Sequence, residues 1–340
     1  MNNYFLILVS AVISLLATPL VKKFAVKIGA IDVPKDERRV HKKPIPLLGG
    51  LAIYIAFMIT IILKKGSLEI SELGIILGST IIVIGGVIDD IKDLKPLVKL
   101  SIQIVAALCL IVSGVSITIL TNPFGGTNGL IYISWLYIPF TVIWVVGITN
   151  ALNLIDGLDG LAAGVALIST ITIFIIAIIH NRSEAAVLTS VLGGAIIGFL
   201  PYNFNPATIF MGDTGAQLLG FLLAAISMEG TIKSATAFAV SVPILAIGLP
   251  IYDTIFAMIR RKVNGKPISQ ADRGHLHHRL LDLGLSQRQA VIIMYLLSAI
   301  LGGIAIIAMQ ISTVRSYFLM ASVITIIVFV AWKMGFFKHD

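Results

Sequence analysis

Charge is what this chain has least of. Only 12% of its 340 residues are Asp, Glu, Lys or Arg, about half the roughly 25% of a soluble globular domain. With 57% hydrophobic residues and a mean hydropathy of +1.00, polar side chains cannot cover its surface, which excludes water as the solvent for most of it. Cys109 is the single cysteine. It excludes an intrachain disulfide and is left a small apolar role within a span. Acid is scarcer than base, at 17 against 25 residues for a net charge of +8.

Long apolar runs are what the chain has most of. Windows near 4–21, 48–63, 73–88, 99–118, 134–150, 161–179, 186–201, 214–229, 236–256, 289–309 and 317–332 approach the length of a bilayer span, which needs roughly 20 residues. Each must be a helix, because lipid offers backbone amides no other partner within one segment. The expected fold is an all-α, polytopic membrane protein of about eleven transmembrane helices, forming one domain over 1–340. The first window has no basic residue before it and Lys22 and Lys23 just after, the reverse of a secretory signal, so it is read as a retained helix. If the 22–47 segment is cytoplasmic, that side holds 20 of the 25 basic residues; Lys64, Lys65, Arg182, Lys233 and Arg315 fall outside. The positive-inside rule then puts the N-terminus outside and the C-terminus in the cytoplasm. The basic excess is therefore a topology signal, and no nucleic acid is expected.

The carboxylates follow the same partition although they did not define it. Asp89, Asp90, Asp93, Asp156, Asp159, Asp213 and Asp253 lie at cytoplasmic ends of spans, whereas outside loops carry only scattered glutamates. A transporter would place polar residues near mid-membrane, in two matching halves with broken helices. This pattern instead puts a site on one face, built from segments 22–47, 89–99, 150–160, 202–214 and 257–288.

Each segment carries its own chemistry. The first contains His41 and Lys42 among many cations, suited to a polyanion, and its Pro46 with Gly49-Gly50 is expected to bring backbone close to that ligand. In the second, Asp89 and Asp90 directly follow Val87-Ile88. Adjacent carboxylates near lipid need a positive partner, either a hard cation with oxygen ligands or a lysine. The third repeats polar residues every third position, Asn150, Asn153, Asp156 and Asp159, so that they share a helical face, while Gly157 and Gly160 permit close backbone approach. The fourth reads Phe210-Met211-Gly212-Asp213. There an ordinary N-cap accounts for Asp213, and interface packing or a base-stacking platform accounts for Phe210. The fifth carries Arg273, His275, His277, His278 and Arg279. Without cysteine nearby these histidines read as donors to phosphate oxygens rather than as zinc ligands, and Asp253 reads as the partner of a basic residue.

Taken together and in this order, Asp89-Asp90, Asn153-x-x-Asp156-Gly157-x-Asp159-Gly160, Phe210-Met211-Gly212-Asp213 and His275-x-His277-His278 resemble the polyprenyl-phosphate N-acetylhexosamine-1-phosphate transferase superfamily, over nearly the whole chain. Leu276 interrupts the three consecutive histidines typical of the branch that uses UDP-MurNAc-pentapeptide, and Asp93 stands where that branch tends to carry lysine. The resemblance is therefore to the GlcNAc-transferring branch that starts teichoic acid, O-antigen or related polymers. It implies transfer of GlcNAc-1-phosphate from UDP-GlcNAc to undecaprenyl phosphate at the cytoplasmic face of the cell membrane, with Mg2+ as cofactor and Mn2+ as a substitute. It implies Asp213 and Asn153 as metal ligands and Phe210 as the uracil-stacking ring, with Gly157 and Asp159 near the uridine. Asp93 would lie near the sugar, and Lys99, Arg273, His275, His277 and His278 on the diphosphate. Asp89, Asp90 and Asp156 would be catalytic, the first two acting on the lipid phosphate and the third lining the donor pocket. The expected partners are these two substrates and the bilayer, and a homodimer is allowed.

The expected mechanism is an in-line attack by the lipid phosphate, with a covalent aspartyl intermediate as the alternative. A nucleotide-sugar or lipid transporter is one competing class. Another is a CDP-alcohol phosphatidyltransferase, but its Asp-Gly-x-x-Ala-Arg signature is missing, since Asp159-Gly160 is followed by Leu161-Ala162-Ala163-Gly164.

Overall fold

The computed structural model describes residues 2–34, 43–64, 66–121, 130–229, 241–265, 267, 274–311 and 313–333. Helices begin and end where the local chemistry directs. α1 (Asn3–Ile28) closes at Gly29, whose φ of +76° supplies the left-handed cap. A short antiparallel hairpin follows, β1 (Ile31–Asp32) on β2 (Ile45–Pro46), with Ile31 opposite Pro46. α2 (Gly49–Leu63) comes next, and α3 (Ile70–Lys92) starts on a reciprocal capping box between Glu69 and Glu72. α4 (Pro96–Val112) opens with proline in its first turn, where the missing N–H costs nothing. A second hairpin, β3 (Ile119–Thr121) with β4 (Leu130–Tyr132), leads to α5 (Tyr137–Ile155). α6 (Leu161–Ile179), α7 (Ser183–Asn203), α8 (Gly212–Ser227), α9 (Ser241–Ala246) and α10 (Gly248–Val263) follow. The chain continues with α11 (Leu276–Asp282), α12 (Gln287–Gln310) and α13 (Thr313–Lys333).

The core is organised around α8, which is buried along almost its whole length and packs against α2, α3, α5, α6 and α7. α1 lies on α7 and α2, α12 on α6, and α10 on α5 and α12. α13 sits at the rim against α12, showing Phe318, Ile326, Phe329 and Trp332 outward. Many large apolar side chains facing outward over a tight interior are what a lipid solvent selects.

The all-α polytopic expectation holds. Among the described residues seven helices are long and apolar enough to cross a membrane, and α2 and α4 are shorter apolar helices. The 236–256 window proves divided, with α9 and α10 separated at Ile247. Helices also run further than the hydropathy windows. Lys22, Lys23 and Lys27 are helical residues of α1, and Asp89 and Asp90 occupy the last turn of α3. Apolar content sets where a window ends, but a helix continues into the interface as long as its charged side chains can reach water.

Two glycines let α2 and α3 close on α8. A Cβ on Gly50 would run into the Gly215 backbone, and one on Gly86 would lie 2.5 Å from Thr214 Cα. The Gly49 and Gly50 amides donate to the carbonyls of Phe210 and Met211 at 2.9 and 3.0 Å, and the Phe210 amide donates to Pro46 at 2.8 Å. The close approach expected of Pro46 and Gly49-Gly50 is thus to protein backbone, which already takes up both glycine amides. Gly50→Ala and Gly86→Ala should each cost about 1–3 kcal/mol through overpacking, read as a lowered Tm. Gly303→Ala, with open space around its Cβ, should leave Tm unchanged or slightly raised.

Candidate active site

The segments singled out from the sequence surround one cavity of about 790 Å³, within the range of small-molecule sites. Its wall brings together most of the residues singled out from the sequence: Asp89, Asp90 and Asp93 from the end of α3, Asn153 from the last turn of α5, Asp156, Gly157 and Asp159 from the turn after it, Phe210 and Asp213 at the start of α8, and His278 from α11. Asp32 and Val33 of the first hairpin complete one side. His41, Lys42 and Arg273 lie outside the described residues.

Behind the wall a cation is held between two of the lining acids. Lys99 Nζ lies 2.6 Å from Asp89 Oδ2 and 2.7 Å from Asp213 Oδ2, while the Asn153 side chain hydrogen-bonds to Asp213. Asp89 is 5% exposed, and its Oδ1 accepts from the Leu94 amide at 2.8 Å. In such a setting the attraction of an ammonium for a carboxylate is many times stronger than in water, so the three groups hold one another.

Asp90 does something else. Its Oδ1 accepts from the Asp213 amide at 2.8 Å, and its Oδ2 from the Thr214 amide at 3.2 Å and the Thr214 hydroxyl at 2.6 Å. It caps the N-terminus of α8 from another helix, satisfying amides that have no intrahelical partner. Neighbouring residues on a helix diverge by about 100°, so Asp89 and Asp90 face different partners.

Asp93 ends α3 in the left-handed region at φ 52°, with its amide on the Asp89 carbonyl at 2.8 Å, and it is exposed on the cavity rim. Asp159 Oδ2 accepts from Asn205 Nδ2 at 3.0 Å and from the Ala207 amide at 2.9 Å, tying the third segment to the fourth. Asn205 also donates to Gln287 Oε1 at 2.8 Å, and Gln287 itself lines the cavity. Gln287 and Asn203 are wall residues that the sequence did not single out. An amide at the first turn of a helix carries no spacing signal, although the Asn203-x-Asn205-Pro206 run offered a weak one.

The three histidines separate as well. Only His278 lines the cavity. His275 Nδ1 lies 2.8 Å from Asp253 Oδ2, and Asp253 Oδ1 accepts from the Leu276 amide at 2.9 Å. The basic partner expected for Asp253 is therefore His275. His277 points the Nε2 edge of its ring at Gly157, where a Cβ would sit 2.5 Å from that nitrogen. Burial, together with the neighbouring His278, pushes the His277 ring down to about 3, so it is neutral and offers no cationic donor. The rings follow one another, His275 stacked on His277 at 5.9 Å and His278 tilted against His277 at 4.2 Å.

The donor set suits a hard cation: carboxylates and an amide oxygen converge, and positive charge already sits between them. Among the described residues no three His, Cys, Asp or Glu side chains form a metal cluster. A metal here would keep water or substrate oxygens in its remaining positions, as Mg2+ commonly does.

Burial pushes Asp156 up to about 8, with the charges of Asp213, Asp90 and Asp159 adding to it. Unfolded, the same carboxyl titrates at about 4. Between those values the folded chain binds the extra proton, so stability falls as pH rises through the window. Asp156→Asn should therefore raise the Tm of metal-free protein at pH 8.5, with a smaller gain at pH 5.5. Equal changes at both pH values would remove that burden from Asp156.

The glycosyl transferase family 4 profile matches residues 72–231, which include the aspartates and Lys99 but neither the first hairpin nor the histidines. Over 300 residues the chain is 40% identical to a Bacillus subtilis protein named "Probable undecaprenyl-phosphate N-acetylglucosaminyl 1-phosphate transferase", covering 88% of this chain and 83% of that one. It is 33% identical over 271 residues to the undecaprenyl-phosphate alpha-N-acetylglucosaminyl 1-phosphate transferase of Thermotoga maritima, covering 79% and 78% of the two chains. It is also 32% identical over 253 residues to the phospho-N-acetylmuramoyl-pentapeptide-transferase of Streptococcus uberis, covering 66% and 73%.

Proposed function

The chain belongs to glycosyl transferase family 4, and on that premise we propose that it transfers GlcNAc-1-phosphate from UDP-GlcNAc to undecaprenyl phosphate, releasing UMP. The observation that carries this reading is the Asp89–Lys99–Asp213 cluster at the base of a cavity of about 790 Å³, combined with relatives named for the same transfer. The identity to these GlcNAc-named relatives extends over more of the chain than the identity to the muramoyl-pentapeptide enzyme, and this favours the GlcNAc donor. The positive-inside count supports a cytoplasmic face for the cavity, where both a soluble nucleotide sugar and a lipid phosphate headgroup can arrive. The product would begin a cell-envelope polymer such as teichoic acid or O-antigen.

Phosphoryl transfer asks the protein mainly for positioning and charge neutralisation. Asp213 and Asn153 would hold Mg2+, which supplies polarisation of the donor phosphorus and stabilisation of the departing UMP. Lys99 already bridges two carboxylates of the cavity wall; with the donor present it would turn to the diphosphate. Release of Lys99 frees Asp89 Oδ2 to take or exclude the second proton of the acceptor phosphate. An oxygen of that phosphate then attacks the sugar-linked phosphorus in line, and the bond from that phosphorus to the bridging oxygen breaks, the oxygen and its electron pair leaving with UMP. Phe210 offers a ring for the uracil, and Asp159, fixed by Asn205 and Ala207, braces the pocket beside it. His278 reaches the cavity directly. His275 and His277 act through it as positioning residues.

The test is UMP release from UDP-GlcNAc, compared with other UDP-sugars, with undecaprenyl phosphate and Mg2+. UDP-GlcNAc should be preferred and EDTA should stop turnover. Asp213→Ala should lose the Mg2+-dependent rate while still inserting, and Asp89→Asn should lose turnover by about 10²-fold or more yet keep donor binding. Arg182→Ala should not change the rate. Near-normal turnover in either aspartate variant removes its role. UMP–donor exchange in the absence of acceptor would replace the single displacement by a covalent intermediate.

A further inference from the structure

One turn behind the charged cluster lies a second, uncharged one. Gln103 of α4, Asn150 of α5 and Gln217 of α8 meet where their helices converge. Asn150 Nδ2 donates to Gln103 Oε1 at 2.7 Å and to the Val146 carbonyl at 2.8 Å, while Gln103 Nε2 faces Asn150 Oδ1 at 3.4 Å and Gln217 Oε1 at 3.1 Å. Gln103 is 1% exposed and Gln217 3%. The positions of these amides follow the charged site residue by residue. Gln103 is four residues after Lys99, Gln217 four after Asp213, and Asn150 three before Asn153. On a helix those spacings share a face, so each amide stands directly behind one group of the cavity.

Packing by itself does not call for this. Apart from the Asp90 cap at its first turn and the Trp144 Nε1 bond to Ser227 Oγ at its far end, α8 is held by small and apolar contacts, such as Gly220 against Thr149 and Gly78 against Phe221. α4 packs against α3 and α5, and the Gln103–Gln217 bond carries it across to α8. Buried amides tolerate little change of spacing, because a lost bond leaves a desolvated donor or acceptor. Such a cluster fixes distance and angle between helices far more sharply than apolar contact, which slides.

We propose that Gln103, Asn150 and Gln217 are positioning residues, a buried amide clamp that sets the spacing of Lys99, Asn153 and Asp213. The inference rests on the functional reading of that cavity and gives it a second layer. Supporting groups of this kind change metal affinity or activity by about 10–100-fold when removed, without touching substrate.

The experiment uses the full chain in detergent. Gln103→Leu, Asn150→Leu and Gln217→Leu are combined, so that no member is left as an orphan and stability stays near wild type. The clamp predicts that the triple variant needs about tenfold more Mg2+ or above for half-maximal UMP release. Its kcat should fall more than its KM for UDP-GlcNAc changes, and Mg2+ alone should raise its Tm less than that of wild type. An unchanged Mg2+ requirement and kcat in a folded triple variant would overturn the proposal. Should the triple variant not fold, Gln103→Asn is compared with the exchange Gln103→Asn/Asn150→Gln. The clamp requires loss in the first and recovery in the second, and equal activity in both contradicts it. If wild type releases no UMP, the functional reading fails by itself. The Mg2+-induced Tm shift then decides the clamp, and equal shifts in wild type and the triple variant reject it.

Discussion

Everything at the acidic end of this molecule depends on keeping like charges together beside a lipid phase. Asp89, Asp90, Asp156, Asp159 and Asp213 share one cavity, and carboxylates so placed repel one another and favour protonation. The structure answers each differently. Lys99 bridges Asp89 and Asp213, helix amides take up Asp90, and Asn205 with the Ala207 amide supports Asp159. Asp156 is the carboxyl left holding a proton to about 8. A site under that electrostatic load is ready to accept additional positive charge.

The fold exists to hold those charges at fixed spacing. α8 carries Asp213 at its first turn and is buried along its length, so the acid is anchored at the end of a rigid rod. Gly50 and Gly86 let α2 and α3 close upon that rod, which brings Asp90 to its amides and Asp89 to Lys99. Asp253 plays a similar part for the histidine segment, securing His275 and the first turn of α11 so that His278 faces the cavity.

Much of this was legible in the sequence. Sparse charge and long apolar runs announced a membrane protein, and the partition of lysine, arginine and aspartate gathered the site residues on one face. The rhythm of Asn150, Asn153, Asp156 and Asp159 marked the segment as functional, but the single helical face expected of it holds only for Asn150 and Asn153, because α5 ends at Ile155 and the two aspartates lie in the turn beyond. What could not be read was which neighbour each acid meets. Asp89 and Asp90 are adjacent and chemically identical, and only the positions of α4 and α8 separate them. Gln103 and Gln217 are 114 residues apart, and each looks like an isolated polar residue within a span. The histidine motif reads as three equivalent donors, yet burial and the direction of a short helix leave one in the cavity.

The central claim is that Lys99 occupies the place of positive charge between Asp89 and Asp213 until a metal ion and a diphosphate share it. Lys99→Met tests this most directly, with Mg2+-dependent thermal stabilisation and UMP release measured on the same preparation. The account predicts that Mg2+ stabilises the variant at lower concentrations than wild type, because no ammonium competes for the carboxylates, while turnover falls by about 10²-fold or more. Weaker Mg2+ stabilisation, or turnover near that of wild type, would contradict it.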